Sequence, residues 1–230
     1  MTPFDHMVYS YLSQEGPKTE LLLVRHGQQW LPGPGEAYEG HRNPALSETG
    51  KEQARAVGLG LAAHTLDAVY ASPLTRAHAT AEAIGGHHGL EPVVLEDLRE
   101  IDLFRELEPG ISAEDFLGPI QMQGVRERMM HERSWDVYPA SESSAEFRRR
   151  VANTIEGIAS NHENQRVAIV CHGGVINSYL AHVLGIGRDM FFMPAHTSVS
   201  TVLAAPYGVR APRTIGDVSH LAHRRDLVTF

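Results

Sequence analysis

The sequence predicts an α/β fold with a largely parallel central sheet covered by helices on both faces. Three observations carry this. Short apolar runs alternate with longer amphipathic stretches along most of the chain. Two of those runs, Glu20 to His26 and Arg166 to Cys171, are nearly continuous in their hydrophobicity, as strands buried on both faces are. Helix-start signals, Ser72-Pro73 and His172-Gly173-Gly174, follow directly on two of the strands.

In order along the chain, residues 1–19 read as a polar N-terminal extension, and 20–230 as a single domain. Glu20 to His26 is a strand ending in charge. The loop from Gly27 to about Leu46 is rich in glycine and proline and too long for a plain connector, which marks it as functional or mobile. Ser47 is a good N-cap for a helix from Glu48 to about His64. Leu66 to Ala71 is the next strand. Ser72 as cap, with Pro73 at the first helical position, opens a helix to about Ile84, which Gly85-Gly86 stops. Glu91 to Leu95 is a third short strand. The irregular, mixed-charge stretch after it predicts a mostly helical insertion at about 102–140. Ser143 and Glu146 form a capping box for a helix to about Ser160. Arg166 to Cys171 is a strand that turns at once into a helix ending near Leu184. Thr197 to Ala205 and Thr214 to Leu221 complete the strands.

Bulk properties narrow the function. A chain of 230 residues buries roughly 70% of its unfolded surface and needs no staple. A net charge of −8 argues against a sequence-independent nucleic-acid binder, yet permits a small anionic substrate held by a local arginine cluster. Cys171 is the lone cysteine, so no intramolecular disulfide can form and a cytoplasmic setting is expected. Residues 1–19 carry Asp5 and Glu15 without a long apolar run, so no secretory leader is expected, and no stretch suggests a membrane span. No HExxH or paired-cysteine motif accompanies the 14 histidines, so neither a metal site nor a cofactor is expected. A homodimer is possible on the base rate for enzymes of this size.

In a parallel sheet, ligands bind beyond the carboxyl ends of the strands. Arg25, His26 and His172 sit at such ends, and Arg76 lies in the first turn of the helix after another strand. Guanidinium forks match phosphate oxygens, and phosphoryl transfer is mainly positioning and charge stabilisation. Backbone N–H groups at Gly173 and Gly174 would add anion binding at a helix N-terminus. A neutral imidazole is an accepted covalent nucleophile, which points to His26, with Gly27 letting the ligand come close and His172 as the second imidazole. The leaving oxygen needs a proton. Glu100, just after the third strand, is the candidate acid, with Glu96, Asp97 and Asp102 as competing neighbours.

These residues fall in segments that resemble the histidine phosphatase superfamily, the phosphoglycerate mutase-like family. Leu21 to Gln28 (LLLVRHGQ) resembles its RHG signature. Ala45 to Ala54, Tyr70 to Ala81, Leu98 to Glu100 and Val170 to Val175 are similar, in order, to four further family segments. The resemblance covers about residues 20 to 205. It implies a three-layer α/β/α sandwich and a pocket in which Arg25, Arg76 and His172 hold phosphate beside His26. It also implies that His26 is transiently phosphorylated and that Glu100 is the proton donor, then the base for water. The expected partner is a small phosphorylated substrate, and the expected activity is metal-independent phosphomonoester hydrolysis.

The mutases of the family carry a YGxWEG-like stretch after the acid, of which Ile101 to Gly110 (IDLFRELEPG) keeps only part, so hydrolysis is preferred to mutase chemistry. A phospho-ligand sensor without turnover is the remaining alternative. Cys171 lacks the downstream arginine of a cysteine phosphatase loop and reads as a core residue. Arg148 to Arg150 reads as a solvated helix face. Phe104, Phe116, Met122, Met129, Met130 and Trp135 read as the insertion's own core rather than a wall over the leaving group.

Overall fold

The computed structural model describes residues 17–31, 42–108, 110–206 and 208–230. Residues 1–16 of the expected extension, and 32–41 of the glycine–proline loop, lie outside them. Strand β1 (Thr19–Arg25) is followed by α1 (Glu48–Leu61), β2 (Ala68–Ala71), α2 (Thr75–Gly85) and β3 (Val93–Val94). Then come α3 (Ala113–Glu132), α4 (Ser144–Asn161), β4 (Arg166–Cys171), α5 (Gly173–Leu184), β5 (Val199–Ala204) and β6 (Arg210–Asp217). The sheet order is β3-β2-β4-β1-β5-β6. β1 to β4 run parallel, while β5 and β6 add an antiparallel edge.

Pleat alternation in β1 explains the three layers. Leu21 and Leu23 point into a core with Phe147, Val151 and Ile155 of α4 and Val175 and Tyr179 of α5. Leu22 and Val24 point the other way, onto Val57 of α1 and Ala77, Ala81 and Ile84 of α2. Each such buried aliphatic side chain contributes about 1.5–3 kcal/mol, which is why a continuous apolar run was needed at the sheet's centre.

Helix starts follow the sequence except in one case. Ser47 caps α1 by accepting from the Gly50 N–H, and Ser143 with Glu146 forms the expected capping box. Ser72 does not cap α2. Pro73 holds it extended, the helix opens at Thr75 with Leu74 as an N-cap lacking a side-chain bond, and Asn43 Oδ1 accepts from the Thr75 N–H at 2.7 Å. Ser72 Oγ is turned inward instead.

The edges depart most from expectation. β3 is only two residues long, because Pro92 precedes it and Val93 and Val94 are about half exposed. The last strand begins four residues before the expected Thr214: β5 draws Pro212 and Ala211 into the hairpin, and an edge strand tolerates proline. In the insertion, α3 breaks at Gly118, whose φ of 70° is left-handed, just before Pro119. Phe104, Leu117, Met122, Val125 and Val137 form a small core there, with Met129 packed against it. Phe116 and Met130 are exposed, contrary to the core expectation.

Candidate active site

β1 and β4 pair in register Arg25↔Cys171, so His26 and His172 are the first residues beyond two neighbouring strand ends. The His26 N–H donates to the Cys171 carbonyl at 3.0 Å, and the two ring centroids are 5.0 Å apart. Both rings are buried.

The partners of His26 fix its tautomer. Nδ1 lies 2.7 Å from the Gly27 carbonyl, which can only accept, so Nδ1 carries the proton. Nε2 receives the Arg76 Nε–H at 3.1 Å and therefore presents a lone pair. Burial, then His172, Arg76 and Arg25, hold the imidazole well below its ordinary pKa, so it stays neutral at pH 7. Gly27 also has a packing role. A Cβ there would stand 2.5 Å from the Gly50 carbonyl of α1, so the glycine admits a helix backbone. Its N–H donates to Thr80 Oγ1.

His172 Nε2 is 2.7 Å from Ser72 Oγ, which explains the inward turn of that serine, and its buried Nδ1 has no partner among the described residues. Burial, with Arg76 and Arg25 behind it, also keeps this ring neutral. Arg76, in the first turn of α2, is buried; burial lowers its pKa to about 10, so it remains charged. Arg25 donates to the Pro194 carbonyl through Nη1, while its Nε is buried without a partner among the described residues. Both arginines feel the charge of Glu100, and two cations flank the neutral imidazoles.

Glu100 reaches the same edge. Its carboxylate accepts from the Gly174 N–H at 3.0 Å and from the Ile101 N–H at 3.1 Å. The Gly174 amide, expected to face an anionic ligand, thus faces Glu100. A Cβ on Gly174 would stand 2.3 Å from Glu100 Oε1. Gly173 lies beside Arg25, with Nε 3.8 Å from the place of its Cβ. Of the competing carboxylates, Glu96 and Asp97 are exposed. Asp102 lines a cleft of about 450 Å³ together with Arg42, Arg76, Arg99, Glu100 and Trp135. A cavity of about 360 Å³ between α1 and β6 contains Arg166 and Arg213, but both are already paired with Glu20.

One pocket residue escaped the sequence reading. His196, three residues before β5, has its ring 5.8 Å from that of His26. Its Nδ1 is 2.9 Å from Thr229 Oγ1, and its buried Nε2 has no partner among the described residues. Burial and Arg25 lower its pKa to about 4. Because β5 runs antiparallel to β1, its beginning lies beside the ends of β1 and β4; the direction of that strand was the missing signal. Thr197 next to it has φ of 59°, costly for a β-branched residue, and is held by its N–H to the Arg25 and His26 carbonyls. Cys171 is a fully buried core residue whose thiol pKa burial pushes up, as expected of an inert cysteine. Among the described residues no group of three His, Cys, Asp or Glu side chains is placed to hold a metal ion, and no helix is long and apolar enough to cross a membrane.

A sequence profile of the histidine phosphatase superfamily (branch 1) matches residues 21–214, a span that contains Arg25, His26, Arg76, Glu100, His172 and His196. The chain belongs to that superfamily. A histidine phosphatase relative, phosphoserine phosphatase 1 of Hydrogenobacter thermophilus, is 32% identical over 174 residues, 75% of this chain and 80% of that one. A probable phosphoglycerate mutase, GpmB of Erwinia tasmaniensis, is 29% identical over 215 residues, 88% of this chain and 94% of its own. Among solved structures of the superfamily's fold, YhfR of Bacillus stearothermophilus superposes with a TM-score of 0.72 at 26% identity, covering 88% of this chain and 99% of that one.

Proposed function

We propose that this histidine phosphatase hydrolyses small phosphomonoesters through a covalent phosphohistidine on His26. The observation that carries it is the fixed tautomer of a buried, neutral His26, whose Nε2 lone pair faces Arg76. A phosphoryl group entering there displaces the Arg76 Nε–H from the nitrogen onto a phosphate oxygen. Arg25 and His172 contact the other oxygens, and Gly173 lines the floor. Nε2 attacks phosphorus, the P–O ester bond breaks, and protonated Glu100 gives its proton to the leaving oxygen. The Glu100 carboxylate then takes a proton from water as that water's oxygen attacks phosphorus. The P–N bond breaks, inorganic phosphate leaves, and His26 returns to its neutral form. Two guanidinium cations supply the charge that a metal clamp would otherwise provide, so the reaction is proposed to be metal-independent.

The names of the relatives support hydrolysis of phosphorylated small molecules; one is named a 2-carboxy-D-arabinitol-1-phosphatase and one a phosphoserine phosphatase. The mutase name of another keeps a second chemistry in view, but only part of the mutase-type stretch follows Glu100. The purified protein is expected to release phosphate from an aryl phosphate in excess EDTA, and His26→Ala is not. Activity that vanishes on chelation, or survives in His26→Ala, overturns the proposal. Incubation with 3-phosphoglycerate separates the two chemistries: free phosphate alone supports the hydrolase, and 2-phosphoglycerate the mutase.

A further inference from the structure

Arg150 was expected on a solvated face of α4, yet it is largely buried, and all five of its N–H donors are engaged. Nε and Nη2 donate to the two oxygens of the buried Glu142 carboxylate, each at 2.7 Å. Nη1 donates to the Asp97 and Arg99 carbonyls, each at 2.8 Å, and Nη2 to the Glu100 carbonyl at 3.2 Å. A guanidinium has five such donors, so the fork is saturated. A bidentate ion pair uses only two of them. The other three go to backbone carbonyls of one short segment, the one that carries Glu100.

That segment needs outside support. Glu100 follows a single 3₁₀ turn, Glu96–Leu98, and precedes the insertion, so neither a strand ladder nor a helix fixes its backbone. Glu142 holds the far side: its N–H donates to the Asp102 carbonyl at 2.9 Å, and its Oε2 accepts from the Asp102 N–H at 3.3 Å. Residues 97, 99, 100 and 102 are thus all tied to one buried pair. The Arg150 guanidinium also lies 4.7 Å over the Phe147 ring, which fixes the clamp to the main core.

We propose that Arg150 and Glu142 are positioning residues that aim the Glu100 carboxyl at the leaving oxygen. This rests on the reading of Glu100 as proton donor. A general acid held to within a fraction of an ångström contributes about 10²–10⁴-fold, and misplacement by about 1 Å forfeits about 10²-fold. Its worth depends on the leaving group: an alkoxide needs the proton, whereas a nitrophenolate does not.

The test compares an alkyl phosphate with p-nitrophenyl phosphate in Arg150→Lys, Glu142→Gln, Glu100→Gln and the Arg150→Lys/Glu100→Gln double variant. Arg150→Lys is expected to lower kcat/KM, which reports formation of the phosphohistidine and not its hydrolysis, about 10- to 100-fold on the alkyl ester and less than about 3-fold on the aryl ester. In the Glu100→Gln background the same substitution is expected to cause no further alkyl loss. Equal losses on both esters, or a full additional loss in the double variant, overturn the clamp while leaving Glu100 as donor. If Glu100→Gln itself shows no preference for the aryl ester, both assignments fall. Should Arg150→Lys not fold, Glu142→Gln carries the same comparison. His26→Ala abolishes both activities if the nucleophile assignment is right, independently of the clamp.

Discussion

Gly174→Ala separates activity from stability. The new Cβ would stand 2.3 Å from Glu100 Oε1, 3.1 Å from Cδ and 3.3 Å from Oε2. Ordinary contact begins near 3.4 Å, so the carboxyl has to retreat by about 1 Å, and the 3.0 Å hydrogen bond from the Gly174 N–H is stretched or lost. A displacement of that size costs about 10²-fold in rate when the group is a working acid. The helix itself gains: Gly174 is the second residue of α5 without a positive φ, and alanine favours a helix by up to about 1 kcal/mol over glycine. The expected result is a kcat on an alkyl phosphate about 100-fold lower, with a melting temperature unchanged or slightly raised. Steady-state phosphate release and a thermal melt read the two quantities on one preparation. Wild-type turnover in a folded Gly174→Ala protein would refute the placement of Glu100 as acid, since the carboxyl cannot remain where it is.

Other perturbations test the surrounding framework. His196 has a folded pKa of about 4 against an unfolded value near 6.5, so the unfolded chain binds more protons between those limits and stability falls as pH drops through them. The full shift corresponds to about 3 kcal/mol; in urea titrations the stability gap between wild type and His196→Asn should narrow by about that much from pH 7 to pH 4, and a pH-independent gap sinks the assignment. Ser72→Ala removes the 2.7 Å partner of His172 and the 3.3 Å acceptor of the Leu74 N–H, and is expected to cost about 1–3 kcal/mol and to lower kcat; wild-type kcat would count against it. Gly27→Ala drives a Cβ into the Gly50 carbonyl and should lower the urea midpoint sharply, whether or not ligand is present.

The sheet's centre and the meeting of Arg25, His26 and His172 at its edge were legible because each was written in contiguous residues. ELLLVRH and RVAIVCH show both the burial and the charged exit, and the strand ends then deliver Arg25, His26 and His172 together. What was not legible depended on partners distant in sequence. Ser72-Pro73 reads locally as a helix start; only the nearness of His172 reveals why its hydroxyl points inward. Arg150 looks like one of three solvated arginines until the carbonyls of Asp97, Arg99 and Glu100 are brought to it across some 50 residues. His196 needed the antiparallel direction of β5, which Pro212 and the charged edge of β6 obscured.

The 5.0 Å separation of His26 and His172 sits close to the roughly 4.8 Å spacing of hydrogen-bonded strands. The spacing of the two imidazoles at the proposed phosphoryl site is therefore inherited from backbone pairing, one of the least adjustable lengths in a protein. The two backbone positions cannot move apart without unpairing β1 from β4. Substitutions at the rim of the cleft, at Arg42, Arg99 or Asp102, leave that spacing untouched.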